Sequence, residues 1–434
     1  MAIEKDNFRD RFTMKQQLGK GATGVVYLAY DNFLKRDVAL KLTQLSLFED
    51  DEDGLRNRRM WHNETRLAGK LHHPFVVEVI EYGSSDEFDY LVMEYLPGGT
   101  LKEFTSPDKL MPLDRLVDIL YKVSNAMDYA NKMGVLHRDI KPSNILLGNN
   151  NLVKISDFGS AFLLNSELTQ VDTVGTLPFM APELFRQARP TIQSDIYAVG
   201  VMAYQLLTGT YPFNATTKDA LIYQKLHGEY IPLEMRRQEL PQALRFAVHR
   251  AIHPDMDRRY KTWQELCEDI SAAIPHINRP DNNRFETTLF GFMRTLPFFT
   301  KFSDVEIWET VGICNWKYHN PNENVVKEGD VSKSFYFIAG GDAVVTQTGV
   351  ELSKLGRGDC FGEIAYLDEA RHSRLATVTA TSTLHLIEIQ GESLVEASDR
   401  LQSRFAKAFL NLMVNRLDAT NKKLLTQQKQ KNPA

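Results

Sequence analysis

From Phe12 to Ser85 the apolar residues come in short runs, such as G-V-V-Y-L-A-Y and D-V-A-L-K-L, with the composition of strands. One longer amphipathic segment interrupts them. Asn57 to Leu71, containing W-H-N-E-T-R-L-A-G-K-L, predicts a helix between strands, and the acidic run Glu49 to Asp53 ahead of it reads as a solvated loop. From Leu116 onward the spacing turns helical, as in V-D-I-L-Y-K-V-S-N-A-M-D-Y-A and Y-A-V-G-V-M-A-Y-Q-L-L-T-G. The pattern predicts a small β-rich lobe followed by a larger helical one.

The texture changes again at Ile274 to Thr287, I-P-H-I-N-R-P-D-N-N-R-F-E-T, which is rich in Pro and Asn, lacks a period and reads as a linker. Val325 to Ile389 then shows repeated short strands bounded by Gly-Asp turns, including F-Y-F-I-A-G-G-D-A-V-V and T-L-H-L-I-E-I, and predicts a small β-barrel or jelly roll. A helix from about Leu394 and a polar tail follow. Within that helix Leu410, Leu417 and Leu424 recur at heptad spacing, with Val414 and Asn421 in the alternate core register. A parallel homodimer seam aligned by Asn421 fits this spacing, and so does packing on the helix's own barrel, which we expect because the repeat is short. The expected boundaries are 12–275 for the first domain, 276–290 for a linker, 291–415 for the second domain, and 416–434 for the helix end and tail.

With 434 residues and 43% hydrophobic content, two packed domains are the natural reading. A formal charge of -5 shows no global basic bias, so neither nucleic acid nor an anionic membrane is expected as a partner. Cys267, Cys314 and Cys360 are odd in number and scattered, which fits a reducing compartment better than a disulfide framework or a metal site. The first residues carry no apolar leader pattern, and no apolar run is long enough to span a bilayer. The expectation is a soluble, cytoplasmic protein.

Candidate chemistry starts with L-G-K-G-A-T-G-V-V, where Gly19, Gly21 and Gly24 let a backbone loop approach phosphates without a Cβ in the way. A dinucleotide-binding turn has the same spacing, but its glycines open a helix, whereas V-V-Y-L-A-Y after Gly24 is strand-like. Lys41 in V-A-L-K puts a fixed cation on the next strand. Further on stand H-R-D-I-K-P-S-N, His137 to Asn144, and D-F-G, Asp157 to Gly159. They supply, in order, what phosphoryl transfer uses: Asp139 to orient a hydroxyl, Lys141 to neutralise phosphate, and Asn144 and Asp157 to hold magnesium.

These motifs, over roughly the first three fifths of the chain, resemble the eukaryotic-type serine/threonine protein kinases. The resemblance implies an α+β two-lobed kinase fold, ATP and magnesium as cofactors, and a protein substrate. It implies nucleotide-binding roles for Leu18, Gly19, Gly21, Gly24, Val26, Ala39, Lys41, Glu64, Met93, Glu94 and Leu96. Glu64 would be the ion-pair partner of Lys41, and Met93 to Leu96 the hinge whose backbone meets adenine. Lys141 matches the serine/threonine branch, while His137 and Phe158 are expected to pack internally. Ser160 to Glu183 resembles an activation segment, with Thr176 matching the substrate-facing threonine. Glu183 would pair with Arg259, or with its neighbour Arg258, and Asp195 would brace the catalytic loop. Arg138 would give a guanidinium to a phosphate on Thr169 or Thr173.

In the second domain F-G-E-I-A-Y-L, Phe361 to Leu367, and S-R-L-A-T-V, Ser373 to Val378, resemble the phosphate-binding cassette of cyclic nucleotide-binding domains. Glu363 would accept from a ribose hydroxyl, Arg374 would pair with the cyclic phosphate, and the amides of Gly362, Glu363, Ile364 and Ala365 would cradle it. A structural Glu363–Arg374 ion pair is the alternative. The family often has Pro where Ser373 stands and a small residue where Leu375 stands. Leu375 has no hydroxyl for a guanine amino group, which favours cyclic AMP over cyclic GMP. Transcription activators of this kind continue into a helix-turn-helix, for which too little chain follows. The expectation is a serine/threonine kinase fused to a cyclic nucleotide regulator. The rivals are a catalytically silent nucleotide-sensing scaffold and a kinase whose second domain is a protein-docking module.

Overall fold

The computed structural model describes residues 8–21, 24–44, 61, 70–85, 88–149, 151–158, 162–163, 177–277, 286–367 and 373–431. The chain divides into two compact units, 1–283 and 284–434.

In the first unit β1 (Phe12–Gly21), β2 (Gly24–Asp31), β3 (Arg36–Gln44), β4 (Val79–Ser84) and β5 (Phe88–Glu94) form one antiparallel sheet in the order β1-β2-β3-β5-β4. Strand alternation sorts its side chains. Val38 and Leu40 join Phe12, Ala29, Tyr90 and Val92 in a buried cluster on one face. Ala39 and Lys41 therefore point to the other face. Because directly opposed residues share a face, the register Val26↔Lys41 and Ala39↔Met93 gathers Val26, Ala39, Lys41 and Met93 there. Of the helix expected over Asn57 to Leu71, Trp61 is helical and buried, Lys70 sits in a turn, and residues 62–69, Glu64 among them, lie outside the described residues.

The helical lobe holds α1 (Leu113–Lys132), α2 (Ile192–Thr208), α3 (Lys218–His227), α4 (Gln242–Ala251) and α5 (Trp263–Ala272). Helix α2 is buried continuously from Ser194 to Thr208, as expected of a helix that is apolar on all sides. Between α1 and α2 a short hairpin pairs β6 (Ile145–Leu147) with β7 (Val153–Ile155). Asn144 precedes β6 and Asp157 follows β7, so Ile145↔Ile155 pairing brings these two distant sequence positions to one end of the hairpin.

The second unit opens with α6 (Glu286–Thr295) and α7 (Asp304–Ile313). This corrects the expected linker: residues 286–290 are helical, with Leu289 and Phe290 buried. Strands β8 (Cys314–His319), β9 (Asn324–Val326), β10 (Phe335–Gly340), β11 (Ala343–Gln347), β12 (Val350–Leu355) and β13 (Cys360–Phe361) follow. Then come α8 (Glu363–Leu367), β14 (Thr377–Ala380), β15 (Leu384–Ile389) and α9 (Asp399–Lys431). The strands make two four-stranded antiparallel sheets, β8-β15-β10-β13 and β9-β14-β11-β12, consistent with the expected jelly-roll-like arrangement.

Helix α9 packs on its own domain, but not through the expected stripe. Leu401, Phe405 and Phe409 are at most 1% exposed, and the two phenylalanines join Phe298, Phe335 and their neighbours in an aromatic core. Leu410, Val414 and Leu417 are 65%, 56% and 63% exposed. The helix itself runs to Lys431, through most of the expected polar tail. No helix of the described residues is long and apolar enough to cross a membrane.

His73 gives the first unit an acid sensitivity. It is buried, and its Nδ1 accepts from the Phe75 amide at 3.1 Å, so that nitrogen cannot carry a proton in the fold. Burial pushes its pKa from 6.5 down to about 3. Below pH 6.5 the unfolded chain gains a proton the folded chain refuses, so stability falls as pH drops through 6.5 toward 3. Urea midpoints at pH 7.5 and pH 5 should show the native chain losing up to about 1.4 kcal/mol per pH unit more than His73→Asn.

Candidate functional site

The loop His137 to Asn144 is shaped from beneath by one carboxylate. Asp195, in the first turn of α2 and buried, accepts the amides of His137 (2.8 Å) and Arg138 (2.9 Å). Burial pushes its carboxyl pKa up, while nearby His137 and the two amides oppose that shift. Accepting both amides turns the chain sharply, and Arg138 takes the left-handed conformation at φ 67°. His137 is buried, approaches the Ser156 carbonyl through Nε2 (3.0 Å) and accepts the Asp139 amide at Nδ1 (3.3 Å). A single tautomer, protonated at Nε2, satisfies both contacts. Its ring lies 4.6 Å from that of Phe158, so these two residues pack internally.

Above this base the polar groups converge. Lys141 Nζ donates to Asp139 Oδ2 at 2.6 Å, and Asn144 Nδ2 donates to the same oxygen at 3.1 Å and to the Asp139 carbonyl at 2.8 Å. With its nitrogen so committed, Asn144 presents Oδ1, the hard oxygen donor a magnesium ion takes. Asp157, at φ 66° and with its side chain 46% exposed, lies 3.9 Å from Lys41 Nζ. A carboxylate, an amide oxygen and a buried lysine at one end of the β6–β7 hairpin fit a magnesium-bound phosphate.

Gly19, Gly21 and Gly24 fall at the tip of the β1–β2 hairpin, where Gly21 pairs with Gly24 and Gly19 with Val26. Gly24 has φ 153°, and a Cβ there would meet the Leu42 carbonyl oxygen at 2.2 Å, so the hairpin requires glycine. Leu18 is 42% exposed on β1, while Leu96 is buried just beyond β5. Glu94 differs from the rest of the expected nucleotide set. Its amide donates to Glu78 (3.1 Å), and its carboxylate accepts the Glu78 amide (2.7 Å) and Lys154. Its side chain thus braces the sheet edge.

Glu183 is buried and takes a bidentate contact from Arg259, at 2.9 and 3.1 Å, plus the Ser194 hydroxyl at 2.8 Å. The structure thereby selects Arg259 over Arg258, which is exposed and lies 4.0 Å from Asp255. Thr169, Thr173 and Thr176 lie outside the described residues.

In the second unit Gly362 at φ 85° turns the chain into α8, and a Cβ there would meet Arg374 Nη1 at 2.6 Å. Arg374 is buried; it donates to the Gly362 carbonyl (2.9 Å) and to Ser332 Oγ (3.0 Å). Its Nε is buried without a hydrogen-bond partner, and no carboxylate lies within 4 Å among the described residues. Burial lowers its pKa, opposed mainly by nearby Tyr336 and Asp330. A desolvated guanidinium with no carboxylate in direct contact is costly, and an anion would repay that cost. Ala365 is buried, whereas Ile364 and Leu375 are 43% and 39% exposed beside it.

The alternative Glu363–Arg374 pair is absent. Glu363 is buried, and its Oε1 accepts instead from Arg416 of α9, whose other nitrogen donates to the Cys360 carbonyl. Sequence reasoning missed Arg416, because a lone arginine beside exposed leucines has the local signature of a solvated helix charge.

Residues 12–270 match the family model of the protein kinase domain, and residues 316–400 that of the cyclic nucleotide-binding domain. Among curated proteins, the chain is 33% identical over 269 residues to a probable serine/threonine-protein kinase PknB of Lactococcus lactis, covering 61% of this chain and 42% of that protein. It is 33% identical over 269 residues to serine/threonine-protein kinase PknB of Mycolicibacterium smegmatis (60% and 42%). To serine/threonine-protein kinase PrkC of Bacillus subtilis it is 32% identical over 277 residues (63% and 42%). The chain therefore spans less than half the length of these relatives.

Arg416→Ala would leave the Glu363 carboxylate buried without its cation. We expect it to destabilise the second unit by about 3 kcal/mol, and Glu363→Gln in the same chain to return most of that loss. Denaturant titration of the two variants and the double variant reads the coupling directly.

Proposed function

The chain belongs to the protein kinase family through residues 12–270, and from this premise we propose that it transfers the γ-phosphate of ATP to serine or threonine hydroxyls of proteins under the control of a cyclic nucleotide. The observation that carries the catalytic reading is the convergence of Lys141 and Asn144 on one oxygen of Asp139, with Asp157 and Lys41 beside each other. Asp139 orients the accepting hydroxyl and takes its proton, and Lys141 steadies charge as it develops on the transferring group. Lys41 fixes the α and β phosphates. Magnesium, held through Asn144 and Asp157, supplies neutralisation of phosphate charge. Val26, Ala39 and Met93, on the same sheet face as Lys41, line the adenine side, and Leu96 and the Glu94 carbonyl meet its edge. A reaction that consumes ATP is assigned to the cytoplasm.

The regulatory reading rests on Arg374, a buried cation with an unpartnered Nε and no carboxylate at hand among the described residues. The cyclic phosphate would answer it, with the amides near Gly362 to Ala365 completing the cradle. A ribose hydroxyl would share Glu363 with Arg416. Leu375 offers no hydroxyl to a guanine amino group, which favours cyclic AMP. Regulation requires only that the ligand bind two arrangements of the protein with different affinity.

Radiolabel transfer from γ-labelled ATP to casein tests the first half. Asp139→Asn should lower the rate about 10²- to 10⁴-fold with the fold intact, and equal signals from both chains would sink the kinase reading. Calorimetric titration with cyclic AMP and cyclic GMP tests the second. Arg374→Ala should weaken cyclic AMP binding about 10- to 100-fold. A native chain that takes up neither nucleotide would leave the domain as a docking module.

A further inference from the structure

Lys225 is a lysine where helix packing alone would place a leucine. It sits on α3 with no exposed surface. Its ammonium lies 5.0 Å from the centres of the Tyr197 and Phe213 rings, and no carboxylate comes within 4 Å of it among the described residues. Glu183, the acid that most influences it, is already engaged by Arg259. Burying such a cation costs several kcal/mol unless strong acceptors meet it. The acceptors here are backbone: Nζ donates to the Pro178 carbonyl at 2.8 Å and the Met180 carbonyl at 3.0 Å.

In an extended chain carbonyls two residues apart point the same way but stand about 7 Å apart, too far for both to meet one nitrogen at hydrogen-bond distance. Drawing both to one nitrogen fixes the bend between the 3-10 turn Leu177–Phe179 and extended Ala181, shortly before the C-terminal end of the segment is locked again by Glu183 and Arg259. The stretch is thus tied at both ends, to α3 and to the base of α2. An apolar side chain at 225 would fill the space between the rings and leave two part-buried carbonyls without their donor. Burial pushes the Lys225 pKa down to about 7, with Glu183 opposing. Charged or neutral, the amine keeps at least two N–H groups, one for each carbonyl.

We propose that Lys225 is a positioning residue for the protein substrate: by holding Pro178 and Met180 it sets the wall that follows Thr176, against which the chain bearing the accepting hydroxyl lies. The inference rests on the kinase reading above, in which that segment faces the substrate. Lys225 touches neither ATP nor the reacting atoms. Its loss should therefore be felt in recognition of the protein and not of the nucleotide.

The test is a split between two Michaelis constants. In Lys225→Met, KM for casein should rise about tenfold, while KM for ATP and the rate of ATP hydrolysis without casein stay within about twofold of native. Amide hydrogen exchange across 177–185 should quicken in the same variant, and Lys225→Arg, which keeps donors, should recover most of both. Should the methionine chain not fold, Lys225→Gln, whose amide falls short of the carbonyls, gives the same readout. An unchanged KM for casein in an active enzyme overturns the inference, as does an equal rise in both constants, which marks a merely structural lysine. A native chain that phosphorylates nothing would instead bring down the kinase reading beneath it.

Discussion

The geometry of the first unit depends on the Asp195 carboxylate accepting two consecutive backbone amides, those of His137 and Arg138. The His137 amide is buried and the Arg138 amide part-buried, and the two carboxylate oxygens accept one each. That contact forces Arg138 into a left-handed turn, which fixes where Asp139 emerges. His137 then ties the same loop to the Ser156 carbonyl, next to Asp157. Asp139 and the end of the hairpin that carries Asn144 and Asp157 are in this way referred to one rigid helix, α2, whose burial from Ser194 to Thr208 leaves it little freedom. Precision at the site is inherited from the core.

The second unit handles charge differently. Two arginines approach the same short segment: Arg374 spends two nitrogens on the Gly362 carbonyl and Ser332, and Arg416 takes the Glu363 carboxylate. One cation is paired directly with a carboxylate; the other has no carboxylate within 4 Å among the described residues. The Glu363 carboxylate is thus engaged from α9, while the Arg374 Nε is left buried without a hydrogen-bond partner. Pocket and terminal helix are therefore energetically linked through Glu363.

Most of the first unit was legible because its signals are local. Alternation in V-A-L-K separates Leu40 from Lys41, and the spacing of H-R-D-I-K-P-S-N and D-F-G leaves room for a hairpin between Asn144 and Asp157. What escaped were side chains whose partners are far along the chain. Lys225 and Arg416 sit in helices where a charge normally faces water, and only tertiary contacts 45 and 53 positions away distinguish them. The leucines of α9 misled for the opposite reason. Their heptad spacing is real, yet Leu401, Phe405 and Phe409 at fourfold spacing bury more surface against the aromatic core and decide which face turns inward. The linker was drawn too long because Pro and Asn dominate its composition. The period in Leu289, Phe290 and Met293 begins just where that composition ends.

Helix α9 is 33 residues long, or about 50 Å at 1.5 Å per residue. Its base is clamped by Phe405 and Phe409, and Arg416 pins it once more near the middle. Past that pin roughly 15 residues, about 22 Å, continue as a rod. Such a shape works as leverage: a tilt of about 10° at the arginine sweeps the far end through about 4 Å by simple trigonometry on that length. A rearrangement around one carboxylate can thus be carried along the rod as a displacement the size of a side chain.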